Sequence, residues 1–417
     1  MALYISRLSG LKLLSISTMV MVICSASVSY AAPTPRHFIQ DVLESNPAIQ
    51  AAKTNILAAK ARQSALGKPL YNPELIAEKE NAIDNTELLG INQTIDWTNK
   101  RGAREQVGAA NVLLAQAEFD SFQQRLISDT LSALANYQFQ SNAVVLAKKR
   151  VALLEKFVTL TRRRYESGDI ARVNLDLAQL AYSESVAQQA NEESKANHAL
   201  QKLRAVTGLR QARWPRLPEK LPRLSIKKID IEKTLRNLPV VGIFNQQYQA
   251  AHARIKLAER NRYPDPTIGV QGGRNYGQSE SRKLFGLTLS IPLFVRNSYG
   301  AEVDAANYDA TEADSKRENI IREMRAELIS SAERYQYLYN ATSKWQHATG
   351  KPLGDGIVLI ERLWKAGEMN STDYLVQIKQ RVDSEIAGVE LRGRAWDAWI
   401  DWLRVSGKVK RWSLLKV

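Results

Sequence analysis

Phe285-Gly286-Leu287-Thr288-Leu289-Ser290-Ile291-Pro292-Leu293 places a large apolar side chain at every odd position and a small residue, a hydroxyl or proline at every even one. In an extended chain successive side chains point to opposite faces, so the run predicts a strand that is apolar on one side only. A membrane barrel strand, with lipid on one side and a watery lumen on the other, carries this pattern. So does an ordinary soluble hairpin that caps a helical bundle. Thr267 to Tyr276 supplies the partner strand, with Ile268 and Val270 in phase, and the polar stretch Gly277 to Arg282 makes the turn.

The hairpin is part of a duplicated unit. Gly286-Leu287 followed by Ile291 matches Gly90-Ile91 followed by Ile95, roughly two hundred residues earlier, and the match continues on both sides. Ala58-Ala59-Lys60-Ala61-Arg62 recurs as Ala250-Ala251-His252-Ala253-Arg254, Tyr71-Asn72-Pro73 as Tyr263-Pro264-Asp265-Pro266, and Val107-Gly108-Ala109-Ala110-Asn111 as Val303-Asp304-Ala305-Ala306-Asn307. Tyr165-Glu166-Ser167-Gly168-Asp169 recurs as Trp364-Lys365-Ala366-Gly367-Glu368. A duplication this long means two copies of one structural unit. The copies are expected at 32–209, with a hairpin at about 74–97, and at 231–407, with a hairpin at about 267–293. A linker at 210–230 joins them, where three prolines between Trp214 and Arg223 forbid a helix, and a tail follows at 408–417. The first hairpin reads more weakly: Leu89, Ile91, Ile95 and Trp97 alternate, but Glu74 to Ile83 is interrupted by charges.

Outside the hairpins the chain reads as helix. From about Lys100 to Tyr165 there is no proline, glycines occur only in the first turns, and Leu126, Thr130, Leu134 and Tyr137 recur at helical spacing. Some 65 residues at 1.5 Å each make a rod of about 100 Å, far longer than a globular domain needs. A return helix is expected from about Val173 to Val206 with Leu175, Gln179 and Tyr182 on one face. The second copy repeats the pair at about Ala301 to Leu363 and Ser371 to Val405, with a kink or break at Gly350-Lys351-Pro352. Shorter helices precede the hairpins, at about Pro35 to Leu66 and Ile231 to Arg262. Trp396, Trp399 and Trp402 recur at three on the last helix, which predicts packing at mid-height or against a neighbour.

Residues 1–31 read as a signal peptide: Arg7 and Lys12 precede an apolar stretch from Leu13 to Cys24, and Ser29-Tyr30-Ala31 is a small-residue cleavage site. Cys24, the single cysteine, invites a lipidated N-terminus, but Ile23 in front of it is larger than a lipoprotein signal takes. Without Arg7 and Lys12 the formal charge falls from +15 to about +13. Export argues against nucleic acid as the partner of so basic a chain. After cleavage no apolar run is long enough for a membrane helix, so any membrane entry is by strands.

Four strands cannot close a membrane barrel, whose smallest forms have about eight. Several copies must share one, and three copies supply twelve strands. At this point Asn46-Pro47, Pro73, Ala109-Ala110-Asn111, Tyr165 with Gly168, and Trp364 with Gly367 together resemble the TolC family of outer-membrane efflux channels over nearly the whole mature chain. The resemblance implies a mostly α fold with a small β part: a duplicated helix, hairpin, long helix and helix unit. It implies a homotrimer with a 12-stranded barrel in the outer membrane, in contact with its lipid, continued through the periplasm by an α-helical tunnel. It further implies that a periplasmic adaptor (membrane fusion) protein docks at the lower tip and couples the channel to an inner-membrane pump of RND type. Asn99-Lys100-Arg101-Gly102-Ala103-Arg104 and the acidic residues after Gly168 and Gly367 are similar to the branch serving cation and heavy-metal exporters.

By the same resemblance the adaptor-docking tip comprises Arg163, Tyr165, Gly168, Asp169, Trp364, Gly367 and Glu368, and Asp373 falls at a channel constriction. The neighbouring ring position falls on Val376, and the first-copy equivalent of Asp373 is Asn174. Three carboxylates around an axis attract cations; an aspartate in the first turn of a helix is also what the helix dipole favours. Arg162-Arg163-Arg164 reads as a docking or gating patch, or as cations favoured at a helix C-terminus. His37, His198, His252 and His347 lack metal-ligand spacing, and no nucleophile elbow, phosphate loop or metalloprotease helix occurs, so neither an enzyme nor a cofactor is expected. The competing function is a soluble periplasmic coiled-coil adaptor, which would carry one helical hairpin flanked by compact β-domains.

Overall fold

A computed structural model of the chain describes residues 35–81, 85–210, 214–226, 229–277, 280–349 and 353–414; the signal segment, Cys24 and Gly350 to Pro352 lie outside them. Two copies of one unit follow each other. The first consists of α1 (Pro35–Ser45), α2 (Pro47–Leu66), β1 (Glu74–Asn81), β2 (Asn85–Thr94), α3 (Lys100–Glu166) and α4 (Arg172–Thr207). The second consists of α5 (Ile231–Arg236), α6 (Pro239–Asn261), β3 (Thr267–Tyr276), β4 (Ser281–Ser290), α7 (Gly300–Thr349), α8 (Leu353–Lys365) and α9 (Ser371–Val405), followed by α10 (Val409–Leu414).

The two helices expected to run unbroken before the hairpins are each broken. Asn46 and Leu238 precede proline, which excludes the helical region for the residue before it, and both take extended backbone with ψ of 120° and 128°. Pro47 and Pro239 then open α2 and α6 at the position where a missing N–H costs nothing. Asn46 adds a cap, its side chain accepting from Ala48 N–H at 2.9 Å while its amide donates to the Val206 carbonyl at 3.0 Å. The break expected at Gly350-Lys351-Pro352 lies outside the described residues, with α7 ending at Thr349 and α8 beginning at Leu353, whereas α3 runs through 67 residues, about 100 Å.

Apolar packing is concentrated in separate places along this length. At mid-height Phe38 and Ile39 of α1, Ile127, Leu131 and Leu134 of α3, Tyr335 of α7 and the three tryptophans of α9 form the largest core. Trp396, Trp399 and Trp402 are buried within the chain itself, and Trp399 and Trp402 stack at 4.9 Å. The proline-rich linker wraps this core as a strap. Its Pro215 carbonyl accepts from Gln138 of α3, its Pro222 carbonyl from Tyr335 of α7, and its Glu219 carbonyl from Arg392 of α9. The segment read from sequence as a tail is structural: α10 seats Val409 in the same core, and Trp412 lies 6.1 Å from Trp396. A second core lies at the far end of the helices, built from Leu154, Phe157, Ile357, Ile360, Trp364, Tyr374 and Ile378.

Candidate functional sites in the wall and the tip

The four strands form one antiparallel sheet in the order β1-β2-β3-β4, so the two hairpins pair with each other through β2 and β3. The strands end at Thr94 and Ser290, short of the expected Trp97 and Leu293; Pro292, with no N–H, cannot continue a ladder. β2, β3 and β4 have 10 residues each, the length of a tilted membrane strand. Residues directly opposite in an antiparallel pair share a face. One face carries Leu75, Ile91, Val270 and Leu287 in one row and Ala77, Leu89, Gly272 and Phe285 in the next. These large side chains are exposed, Phe285 at 76% and Leu287 at 73%.

The opposite face carries Glu74, Asn92, Gly269 and Thr288, then Ile76, Gly90, Gln271 and Gly286, then Glu78, Leu88, Gly273 and Leu284, then Glu80, Thr86, Asn275 and Arg282. Four glycines sit on this side. A Cβ at Gly273 would run into the Glu87 carbonyl, and one at Gly269 into the side chains of Asn92 and Thr288. A face crowded in this way is concave, so the sheet curls toward its polar side. The charges that weaken the β1 sequence as a strand sort by face: Glu74, Glu78 and Glu80 look into the concavity, while Lys79 lies on the apolar side and pairs with Glu87 at 2.9 Å.

Where the sheet meets the helices, the two copies are tied by a buried ion pair. Lys100 Nζ lies 2.9 Å from Asp265 Oδ2 and donates to the Tyr263 carbonyl at 2.6 Å. The Tyr71 hydroxyl donates to the same Asp265 oxygen at 2.7 Å, and burial with that carboxylate pushes the Tyr71 pKa up to about 12.

At the opposite end α3 and α8 both terminate on a left-handed glycine, Gly168 at φ 79° and Gly367 at φ 78°. In each turn the residue after glycine donates back to the helix: Asp169 N–H to the Arg164 carbonyl at 2.8 Å and Glu368 N–H to the Leu363 carbonyl at 3.0 Å. The glycine N–H reaches Tyr165 and Trp364 carbonyls in the same way, so both turns are Schellman motifs. Arg163, Tyr165, Gly168, Asp169, Gly367 and Glu368 are exposed there. Trp364 is not: it is 2% exposed, 4.8 Å from the Phe157 ring and 5.2 Å from the Tyr374 ring. Its place is the joint between the hairpins rather than their surface. Arg164 departs from its neighbours in the same way, lying over the Trp364 ring at 4.7 Å and donating to the Lys365 carbonyl at 3.1 Å. Higher up, Arg150 pairs with Asp383 at 2.8 Å and Lys379 with Glu184 at 3.0 Å, again joining one copy to the other.

Asp373 is exposed in the first turn of α9. Its N–H donates to Asn370 Oδ1 at 2.8 Å, and its carboxylate accepts from Asn370 Nδ2 at 2.8 Å. Val376 is exposed one turn further on, and Asn174 sits at the matching position of α4. Sequence reasoning passed over the inward carboxylates of β1 and the pairs Lys100–Asp265 and Arg150–Asp383. A proline on either side of Asp265 marks a constrained aspartate, but neither pair has a partner within its own copy. Among the described residues no group of three His, Cys, Asp or Glu side chains comes together to hold a metal ion, and no helix is long and apolar enough to cross a membrane.

Residues 38–209 and 231–407 match the family of outer membrane efflux proteins. The chain is 28% identical over 305 residues to the nickel-cobalt-cadmium resistance protein NccC of Alcaligenes xylosoxydans xylosoxydans, covering 71% of this chain and 68% of that one. It is 25% identical over 324 residues to the nickel and cobalt resistance protein CnrC of Cupriavidus metallidurans, covering 74% and 77%. Its fold is shared with the Campylobacter jejuni CmeC outer membrane channel, at a TM-score of 0.72 and 12% identity over 97% of this chain and 94% of that one.

Proposed function

This chain belongs to the outer membrane efflux protein family, and from that premise we propose that it is the outer-membrane channel of a tripartite exporter of divalent metal cations, built as a homotrimer. It stands in the outer membrane and extends into the periplasm. The observation that carries the proposal is the sheet: it has an exposed apolar face, a concave polar face and two edges, β1 and β4, with no strand neighbour among the described residues. Unpaired edges in lipid are untenable, so β4 of one copy pairs with β1 of the next. Three copies give a twelve-stranded barrel.

The cargo follows from the relatives that confer nickel, cobalt and cadmium resistance and from the inward carboxylates of β1. Transport energy comes from an inner-membrane pump of RND type through a periplasmic adaptor that docks at the exposed tip. Arg163, Tyr165, Gly168, Asp169, Gly367 and Glu368 offer the contact surface, and Trp364 holds the two turns in register. Asp373 supplies a ring of three carboxylates at the lower constriction. In this reading 1–31 is the signal peptide, and 32–209 and 231–407 are the two repeats joined by the 210–230 linker.

The test is the mass of the mature protein in detergent together with its conductance in planar bilayers. Trimer-sized particles with discrete, cation-preferring conductance are expected, and Asp373→Ala should raise conductance and lower the preference. A monomer without conductance would overturn the channel; unchanged values in the variant would move the constriction elsewhere. Loss of nickel and cobalt tolerance on deletion of the gene, restored by the wild type, tests the cargo.

A further inference from the structure

The apolar face of the sheet ends in a charged row. Strand register places Lys79, Glu87, Arg274 and Lys283 side by side, directly beyond Ala77, Leu89, Gly272 and Phe285. The last paired row beyond it is neutral and hydrogen-bonding: Asn81, Asn85, Tyr276 and Ser281. Rows on one face are two residues apart, about 7 Å along the strand. Asn81, Asn85, Tyr276 and Ser281 are the strand ends away from the flanking helices, so the charged row is at the outer rim, at the boundary between hydrocarbon and headgroups.

The row is not balanced. Glu87, its single carboxylate, is held by Lys79 at 2.9 Å. Arg274 and Lys283 lie directly opposite each other, both exposed, and neither forms an ion pair among the described residues. Like charges directly opposite on a sheet repel, and beside hydrocarbon their repulsion is poorly screened. A tetrahedral oxyanion relieves it: guanidinium donates through its planar fork and ammonium adds a point charge, the combination suited to phosphate. Tyr276 and Ser281 bring hydroxyl groups from the next row. The site lies flush with Leu89, Phe285 and Leu287, so an occupant with acyl chains gains their apolar surface as well, and a soluble phosphate does not.

We propose that Arg274 and Lys283 bind the phosphate of a phosphorylated glycolipid in the outer leaflet, its acyl chains lying along Leu89, Phe285 and Leu287. The proposal rests on the outer-membrane barrel argued above. It predicts a specific annular lipid on each protomer, fixed to the side of the barrel formed by β3 and β4.

The experiment uses the purified full-length mature protein in mild detergent, incubated with bis-phosphorylated lipid A or with its dephosphorylated counterpart, and reads retained lipid by native mass spectrometry. The wild type should retain the phosphorylated lipid at least tenfold better than the dephosphorylated one. R274Q/K283Q should lose that preference, and R274K/K283R should keep it. Equal retention by R274Q/K283Q and wild type would overturn the proposal, as would displacement of the lipid by millimolar inorganic phosphate, which would make this a site for soluble anions. If the double variant does not assemble, the two lipids on the wild type decide: equal retention sinks the idea. Conductance is measured on the same samples, so a conducting protein without lipid preference refutes this inference alone, and a wild type that never inserts refutes the channel itself.

Discussion

Lys100 and Asp265 meet at 2.9 Å across the two repeats, the side chains only 8% and 2% exposed, at the point where the sheet passes into the helices. The Asp265 carboxylate holds Lys100 and the Tyr71 hydroxyl on one oxygen, while its second oxygen has no hydrogen-bond partner among the described residues. Such a pair stabilises little against an apolar substitute of the same shape, but removing one member strands the other charge. Asp265→Ala should therefore cost about 3–5 kcal/mol of unfolding free energy. K100M/D265L should recover most of it. Urea titration followed by circular dichroism measures both, and equal losses in the single and double variants would show that the pair is not coupled.

Gly273 and its neighbour Gly272 face opposite sides of β3. A side chain at Gly273 meets the Glu87 carbonyl, whereas at Gly272 the nearest atom is the Leu284 carbonyl oxygen at 3.7 Å. Gly273→Val should block curling and hence assembly; Gly272→Val, adding an apolar group to the exposed apolar face, should leave the proposed trimer intact. Heat-modifiable migration on unboiled gels reads the difference. The same outcome for both variants would remove concavity as the reason for the glycines.

Glu74, Glu78 and Glu80 share the concave face of β1. In a narrow, low-dielectric wall, rings of carboxylates favour cations. The triple change to Gln should reduce the cation-to-anion permeability ratio several-fold without altering assembly. Reversal potentials in a salt gradient decide the matter. A ratio that stays at the wild-type value would place selectivity wholly at the tip.

The legible and illegible parts of this chain divide by the range of the interaction. Alternation from Phe285 to Leu289, the glycine ends of α3 and α8, and the helix spacing of Leu126, Thr130 and Leu134 are local, so they stand in the sequence and recur in the structure. β1 reads as a charge-broken strand because its meaning depends on register: only opposite β2 do its glutamates fall on the glycine side and Lys79 beside Glu87. Trp364 follows the same rule. Its neighbour Gly367 marks a turn, but Phe157, which buries it, comes from the other repeat. The breaks at Asn46-Pro47 and Leu238-Pro239 are local, and the backbone restriction before proline already accounts for them.

Tyr374 shows what that joint contributes. It stacks on Phe157 at 4.7 Å and packs on Trp364, and burial, with Glu361 adding to it, pushes its pKa up to about 12. The folded tip thus favours the neutral phenol, while an unfolded chain ionises from about pH 10. Stability from this group is fully present below pH 10 and falls by about 1.4 kcal/mol per pH unit until the folded group itself ionises near 12. Tyr374→Phe should lack this part of the alkaline slope; urea midpoints between pH 9 and 12 provide the comparison, and parallel curves would deny the buried phenol its role. Trp364→Ala, by contrast, should lose about 3–5 kcal/mol at every pH by emptying the joint. Because Trp364 lies beneath the surface, its loss should weaken adaptor crosslinking only as far as it loosens the two turns. Charge reversal at the exposed Arg163 should weaken crosslinking with stability unchanged. If Trp364→Ala abolished docking while the tip stayed rigid to hydrogen exchange, Trp364 would be a contact residue after all, and the hairpins would have to part to expose it.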